Sequence, residues 1–202
     1  MTKPPMAEVV SLSPAKGREC VSAGCKLMSR LRSYLPNAVK RIVWNVKHRA
    51  TPIDANSCPK DILDQMGRLS PDGRLLDFGC GAGNLRQALR QRGWRGHYTG
   101  VDVSEQALKI AKSAGDQSAE WHECAIEKFA TQGRKFDLIC FCESIYYVRI
   151  SQIPGLLRSC REAMATSNSR IVVRSCDPVR HNEYVQLMQQ DAETSPPIYL
   201  LS

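Results

Sequence analysis

The chain has 202 residues, room for one α/β domain and little more. Its 43% hydrophobic and 24% charged composition suits a folded domain with a real core, which excludes wholesale disorder, collagen-like repeats and a disulfide miniprotein. The net charge of +8 is lopsided: residues 1–50 hold ten Lys and Arg against Glu8 and Glu19, while the other 152 residues hold 18 of each sign.

Residues 1–20, with Pro4, Pro5, Pro14 and Gly17, read as a flexible tail. No apolar segment of signal-peptide type follows the basic start, which disfavours secretion; a basic, acid-poor transit segment is compatible with the composition. Residues 21–58 read as a basic helical extension or cap. Met28, Leu31 and Leu35 share a helical face, Pro36 interrupts, and Val39, Ile42, Val43 and Val46 form a second stripe among Lys40, Arg41, Lys47 and Arg49. The expectation is a pair of helices with apolar stripes on the core and basic faces in water. Two functional readings stand beside it: docking on an anionic partner, RNA or a membrane surface, and a lid over a substrate site. Trp44 is a single aromatic, too little for a base-stacking platform.

Residues 59–202 read as the main domain. Pro59 opens a short helix through Leu63 and Met66, and Pro71-Asp72-Gly73 is a turn. Strands and helices then alternate: strand Arg74–Phe78, helix Leu85–Gln91, strand Tyr98–Val103, helix Glu105–Ser113 with Ser104 as N-cap, strand Glu120–Cys124, strand Phe136–Phe141, helix Ile153–Ala165, strand Arg170–Ser175 and helix Glu183–Asp191. This is the pattern of an α/β fold, a Rossmann-like, doubly wound, mostly parallel sheet. The longest apolar runs, about five residues, fall far short of the roughly 20 of a membrane span. Nine cysteines without a Cys-x-x-Cys pair, several inside apolar runs, favour a reduced cytoplasmic interior over disulfides, and no metal site is expected.

The chemistry concentrates at the strand ends. Leu75-Leu76-Asp77-Phe78-Gly79-Cys80-Gly81-Ala82-Gly83-Asn84 is a strand running into a glycine-rich turn and a helix start. The dinucleotide pattern needs glycine at the sixth position, where Asn84 stands, so nicotinamide and flavin binding fail. A carboxylate before the turn, Asp77, repels a pyrophosphate and suits a ligand with an ammonium or sulfonium group. Asp102, at the tip of the next strand, is placed to accept both hydroxyls of a ribose. There is no Gly-Lys-Ser phosphate loop and no Gly-x-Ser-x-Gly elbow.

Over about Ile62–Asp177 these motifs resemble the class I S-adenosylmethionine-dependent methyltransferases. The resemblance implies S-adenosyl-L-methionine as cofactor. Asp77 would serve its methionine end, Gly79, Gly81 and Gly83 would wrap methionine and ribose, Asp102 would bind the ribose hydroxyls, and Val103 would pack on adenine. Phe78, Cys80, Cys124, Ala125 and Cys142 complete the implied cofactor-binding set. The family often has Gly-Asp-Ala where this chain has Glu123-Cys124-Ala125; the resemblance then leaves adenine to the backbone N–H groups of Ala125 and Ile126, or to Glu127 or Glu123 in place of the missing carboxylate. Phe136-Asp137 and Glu143-Ser144-x-x-Tyr147 are similar to small-molecule members, including the Nod-factor type of N-methyltransferase. The Asn-Pro-Pro-Tyr of amide and adenine methylators is missing at Cys142–Ile145.

The expected reaction is methyl transfer to an N or O atom of a small molecule or saccharide. Alternatives are methylation of RNA or another macromolecule through the basic arm, and an inactive cofactor-binding regulatory or scaffold module. Glu143 and Tyr147 are the catalytic candidates, followed by Tyr146 and His181. After the fifth strand only Asp177–Ser202 remains, so the sheet is expected to have five or six strands and an incomplete C-terminal hairpin.

Overall fold

The computed structural model describes residues 32–49, 58–67, 69–115, 117–175, 177, 181–194 and 198–201. The tail, the Met28–Leu31 part of the first helical stripe and the break at 51–57 lie outside the described residues.

Six strands make one sheet: β1 (Arg74–Phe78), β2 (His97–Asp102), β3 (Ala119–Glu123), β4 (Leu138–Cys142), β5 (Arg170–Arg174) and β6 (Ile198–Leu201). Their order is β3-β2-β1-β4-β5-β6, and every pairing is parallel. The helices are α1 (Asn37–Arg49), α2 (Lys60–Met66), α3 (Asn84–Gln91), α4 (Glu105–Ser113), α5 (Ile153–Glu162) and α6 (Asn182–Thr194).

The apolar runs of the strands explain this architecture. A side-chain period of two sends neighbours to opposite faces. Leu75, Leu138, Cys140 and Val172 bury on one face with Ile62 of α2, Leu85 and Leu89 of α3, and Leu108 of α4. Leu76, Phe78, Ile139, Phe141, Ile171 and Val173 bury on the other with Leu157 and Cys160 of α5 and Met188 of α6. Strands covered on both faces favour apolar residues at successive positions, as in β4 (Leu-Ile-Cys-Phe-Cys) and in Ile171–Val173 of β5. Ser104 caps α4 as expected, its Oγ accepting from Ala107 N at 3.1 Å.

Three expectations need correction. The sheet has six strands and its C-terminal hairpin is incomplete, as expected, but it is wholly rather than mostly parallel: β6 pairs in parallel with β5, Ile198 opposite Ile171, because α6 carries the chain back across the sheet. The fourth strand begins at Leu138; Phe136 makes an isolated bridge to Met164 instead.

The third concerns α1. Val39, Ile42, Val43 and Val46 are 39%, 63%, 52% and 62% exposed, while Lys40 is 8% exposed. The apolar stripe faces outward and polar residues face the domain. Four polar links hold the helix there. Asn37 Nδ2 donates to Glu127 Oε1 at 3.3 Å, Lys40 Nζ to Tyr147 O at 2.7 Å, Arg41 pairs with Glu123 at 3.8 Å, and Asn45 Oδ1 accepts from Ser104 Oγ at 2.8 Å and Gln106 N at 3.2 Å.

Candidate active site

Chain order reverses between β1 and β4, and in an open α/β sheet a crevice forms at the carboxyl ends of such strands. Here the turn after β1 and the loop after β4 interlock. Gly79 lies at φ 77°, and a Cβ there would stand 2.4 Å from Ser144 Cβ. Ser144 Oγ in turn donates to Phe78 O at 2.5 Å. Gly83, at φ 83°, has Trp121 2.9 Å from where a Cβ would be. These two glycines are therefore required by the protein's own packing, in addition to any ligand.

A cleft of about 760 Å³, its open mouth included, runs along this edge. Gly79, Gly81, Asp102, Val103, Ala125 and Cys142, all expected to bind cofactor, line it. Asp102 is fixed by the turn it faces: Oδ2 accepts from Gly81 N at 2.9 Å and Oδ1 from Ser104 N at 2.8 Å. The carboxylate thus stands at the edge of the cleft with its orientation set by two backbone N–H groups. Of the two replacement carboxylates, Glu127 lines the cleft, whereas Glu123 turns to Arg41.

Asp77, Phe78, Cys80, Gly83 and Cys124 are not among the lining residues and stand behind the wall. Phe78 stacks on Phe141 at 4.8 Å, Cys80 is buried, and Cys124 N donates to Asp102 O at 3.0 Å. Asp77 is 2% exposed; its Oδ2 accepts from Tyr98 OH at 2.5 Å, while its buried Oδ1 has no hydrogen-bond partner. Burial pushes the Asp77 carboxyl up to about 7, against the pull of the Tyr98 hydrogen bond, with Asp102 adding to the rise. An orphaned buried acceptor behind the glycine turn fits the ammonium end of S-adenosylmethionine, reached directly or through a water.

The catalytic candidates divide. Tyr147 lines the cleft and meets Trp44 edge-on at 5.2 Å. Glu143 also lines it, in a left-handed conformation at φ 57°, but both oxygens are engaged: Oε1 by Arg174 and Oε2 by Tyr146 OH at 3.0 Å. Arg174 also grips Asp61 at 2.8 Å, tying α2 to β5 and the β4 loop. Glu143 is thus held as part of the frame. Tyr146 stacks on His181 with ring centres 3.9 Å apart, and His181 is not among the cleft residues.

Sequence reasoning missed Lys40 and Trp44, which α1 hangs over the cleft, and the Asp61–Arg174 pair. Burial lowers the Lys40 ammonium's affinity for its proton, Glu127 opposing and Arg149 adding to the effect. The buried thiols are no nucleophiles: burial pushes Cys58 up to about 12 and Cys142 still higher. Among the described residues no cluster of His, Cys, Asp and Glu is arranged to hold a metal, and no helix is long and apolar enough to cross a membrane.

Known proteins match this arrangement. Residues 75–167 match the family described as "Methyltransferase domain". A ubiquinone biosynthesis O-methyltransferase of Aromatoleum aromaticum is 31% identical over 110 residues, covering 52% of this chain and 46% of that protein. One from Leptothrix cholodnii is 33% identical over 107 residues, 50% of this chain and 42% of that protein. The chain thus spans about half the length of these relatives. The fold is shared with the N-methyltransferase NodS of Bradyrhizobium japonicum, at a TM-score of 0.52 and 22% identity over 66% of this chain and 81% of that one. Over residues 75–167 the chain is thus similar to a methyltransferase-domain family, and it shares the fold of a solved N-methyltransferase.

Proposed function

We propose that this chain transfers a methyl group from S-adenosylmethionine to a hydroxyl oxygen of a small molecule. The observation that supports this most is the cleft itself: Asp102, braced by Gly81 and Ser104, shares it with the polar side chains of Lys40, Glu127 and Tyr147. The choice of oxygen rests on the relatives, named as O-methyltransferases of ubiquinone biosynthesis. No specific observation favours RNA or an inactive module.

When bound, the cofactor supplies an electrophilic methyl on a sulfonium. In this reading Asp102 takes the ribose hydroxyls, Asp77 the ammonium end, and the Ala125–Glu127 loop the adenine. Trp44 and Tyr147 shape the acceptor end, and in-line positioning supplies much of the rate. Lys40 faces the acceptor oxygen. Its Nζ already donates to Tyr147 O, and a lysine carries three N–H donors, so it can also donate to an oxygen that loses its proton. The proton leaves to water at the cleft mouth. Glu143 orients Tyr146 and Arg174 and is not the base.

Incubation with S-adenosylmethionine and a panel of small phenols, catechols, alcohols and amines tests this by product mass. O-methylated phenols or catechols, with Lys40→Met lowering kcat by roughly a hundredfold and Lys40→Arg by less, are expected. Methylation confined to amines, or full activity in Lys40→Met, contradicts the reading.

A further inference from the structure

The helix α1 presents to water the face that helices ordinarily bury. Val39, Ile42, Val43 and Val46 form one outward stripe, and Tyr34, just before it, is 60% exposed. With about 3.6 residues per turn, Lys47 and Arg49 fall on opposite flanks of that stripe, and both are exposed. Between Arg32 and Arg49 there are five Lys and Arg residues and no acid. We propose that this face docks on an anionic membrane surface.

Charge and polarity together select that occupant. A second copy bound through the same face would set two acid-free basic helices against each other, like charge on like. The chain's own residues 1–31 hold Lys3, Lys16, Arg18, Lys26 and Arg30 against Glu8 and Glu19, and so carry the same sign as the helix. A nucleic acid would meet the charge of Arg49 and of Lys47, whose Nζ stands over the Trp44 ring at 4.3 Å, but leave Ile42 and Val46 in water. An anionic bilayer satisfies both: valine and isoleucine side chains enter the headgroup boundary while the flanking cations meet lipid phosphates.

The Val43–Lys47 edge of that stripe gives this docking a consequence. A hollow lined by Leu35, Val43 and Lys47 shares Lys40, Trp44 and Tyr147 with the cleft. The docked face is then also the side from which an apolar acceptor would reach the cleft. This last step rests on the proposed function; the docking does not.

The test is sedimentation of the full chain with vesicles. Roughly one third phosphatidylglycerol in phosphatidylcholine is compared with phosphatidylcholine alone. Binding to the anionic vesicles only, weakened by salt, is expected. Ile42→Asp with Val46→Asp should weaken it at least tenfold without moving the melting temperature, because both side chains are over half exposed. Lys47→Ala and Arg49→Ala should each weaken it about fivefold. Equal binding to neutral vesicles, wild-type binding by the double aspartate variant, or no vesicle binding at all overturns the proposal. In the last case, a dimer in light scattering would point to a second copy, and retention of a poly(U) probe to RNA. Each of these readouts is independent of methyl transfer.

Discussion

The sheet and helix α1 are attached to the same cleft by opposite kinds of interaction. The sheet is held by apolar contact on both faces, with Leu76, Ile139, Phe141 and Ile171 fully buried. Helix α1 is held chiefly by hydrogen bonds and an ion pair from Asn37, Lys40, Arg41 and Asn45, with Trp44 packed on Tyr147, and leaves its valine and isoleucine stripe in water. The first kind of contact is dense, non-directional and stabilising by area. The second is directional, and each bond contributes about 1 kcal/mol net. A rigid floor under a more weakly attached roof suits the proposed reading, in which the cleft admits a cofactor and an acceptor.

That contrast can be broken from both sides. The largest effect belongs to the floor: Phe141→Ala, at a fully buried position, should cost about 3–5 kcal/mol in chemical denaturation. A cost below about 1 kcal/mol would mean that the sheet is not the stable unit.

A smaller effect lies between floor and ligand, at Asp77. With its carboxyl pushed up to about 7, the folded protein holds this proton more tightly than the unfolded chain does. Asp77 therefore contributes stability at low pH that is lost as pH rises from the ordinary carboxylate range through about 7. Cofactor affinity runs the other way, since the ammonium needs the ionised form. It should fall roughly tenfold from pH 7.5 to pH 6, and Asp77→Asn should flatten that slope. An unchanged slope in Asp77→Asn would remove Asp77 from the site.

The roof gives the smallest effects. Asn45→Ala removes the acceptor of Ser104 Oγ and Gln106 N and should cost about 1 kcal/mol, with faster hydrogen exchange across 37–49. Ile42→Ala should change stability by less than about 0.5 kcal/mol. A larger loss at Ile42 than at Asn45 would show that the stripe is packed in solution and would reverse the comparison.

The same contrast explains what could be read from the sequence. Leu138–Cys142 announces a covered strand because burial on both faces favours apolar residues at successive positions, and in Leu75–Phe78 the one polar residue, Asp77, marks the site. The glycine turn and Asp102 are legible because positive φ, close packing and an acid at a strand tip each demand a residue type. The α1 stripe was as clear as any strand, but periodicity tells which residues share a face and not which way the face turns. Its orientation depends on partners 59 to 107 residues away, Ser104 for Asn45 and Tyr147 for Lys40, and no local pattern encodes those pairs. The Asp61–Arg174 pair, 113 residues apart in sequence, was hidden for the same reason. The parallel β6 was hidden because four residues cannot reveal strand direction, which α6 decides.

Calorimetric titration of S-adenosylmethionine into the wild-type chain and into Asp102→Ala tests the central claim most directly. Saturable one-to-one binding is expected, weakened by roughly a hundredfold in the variant, since hydrogen bonds to a carboxylate contribute about 1.5–3 kcal/mol each. No binding by the wild-type chain, or equal affinity in the variant, would contradict the account of this cleft as the cofactor site.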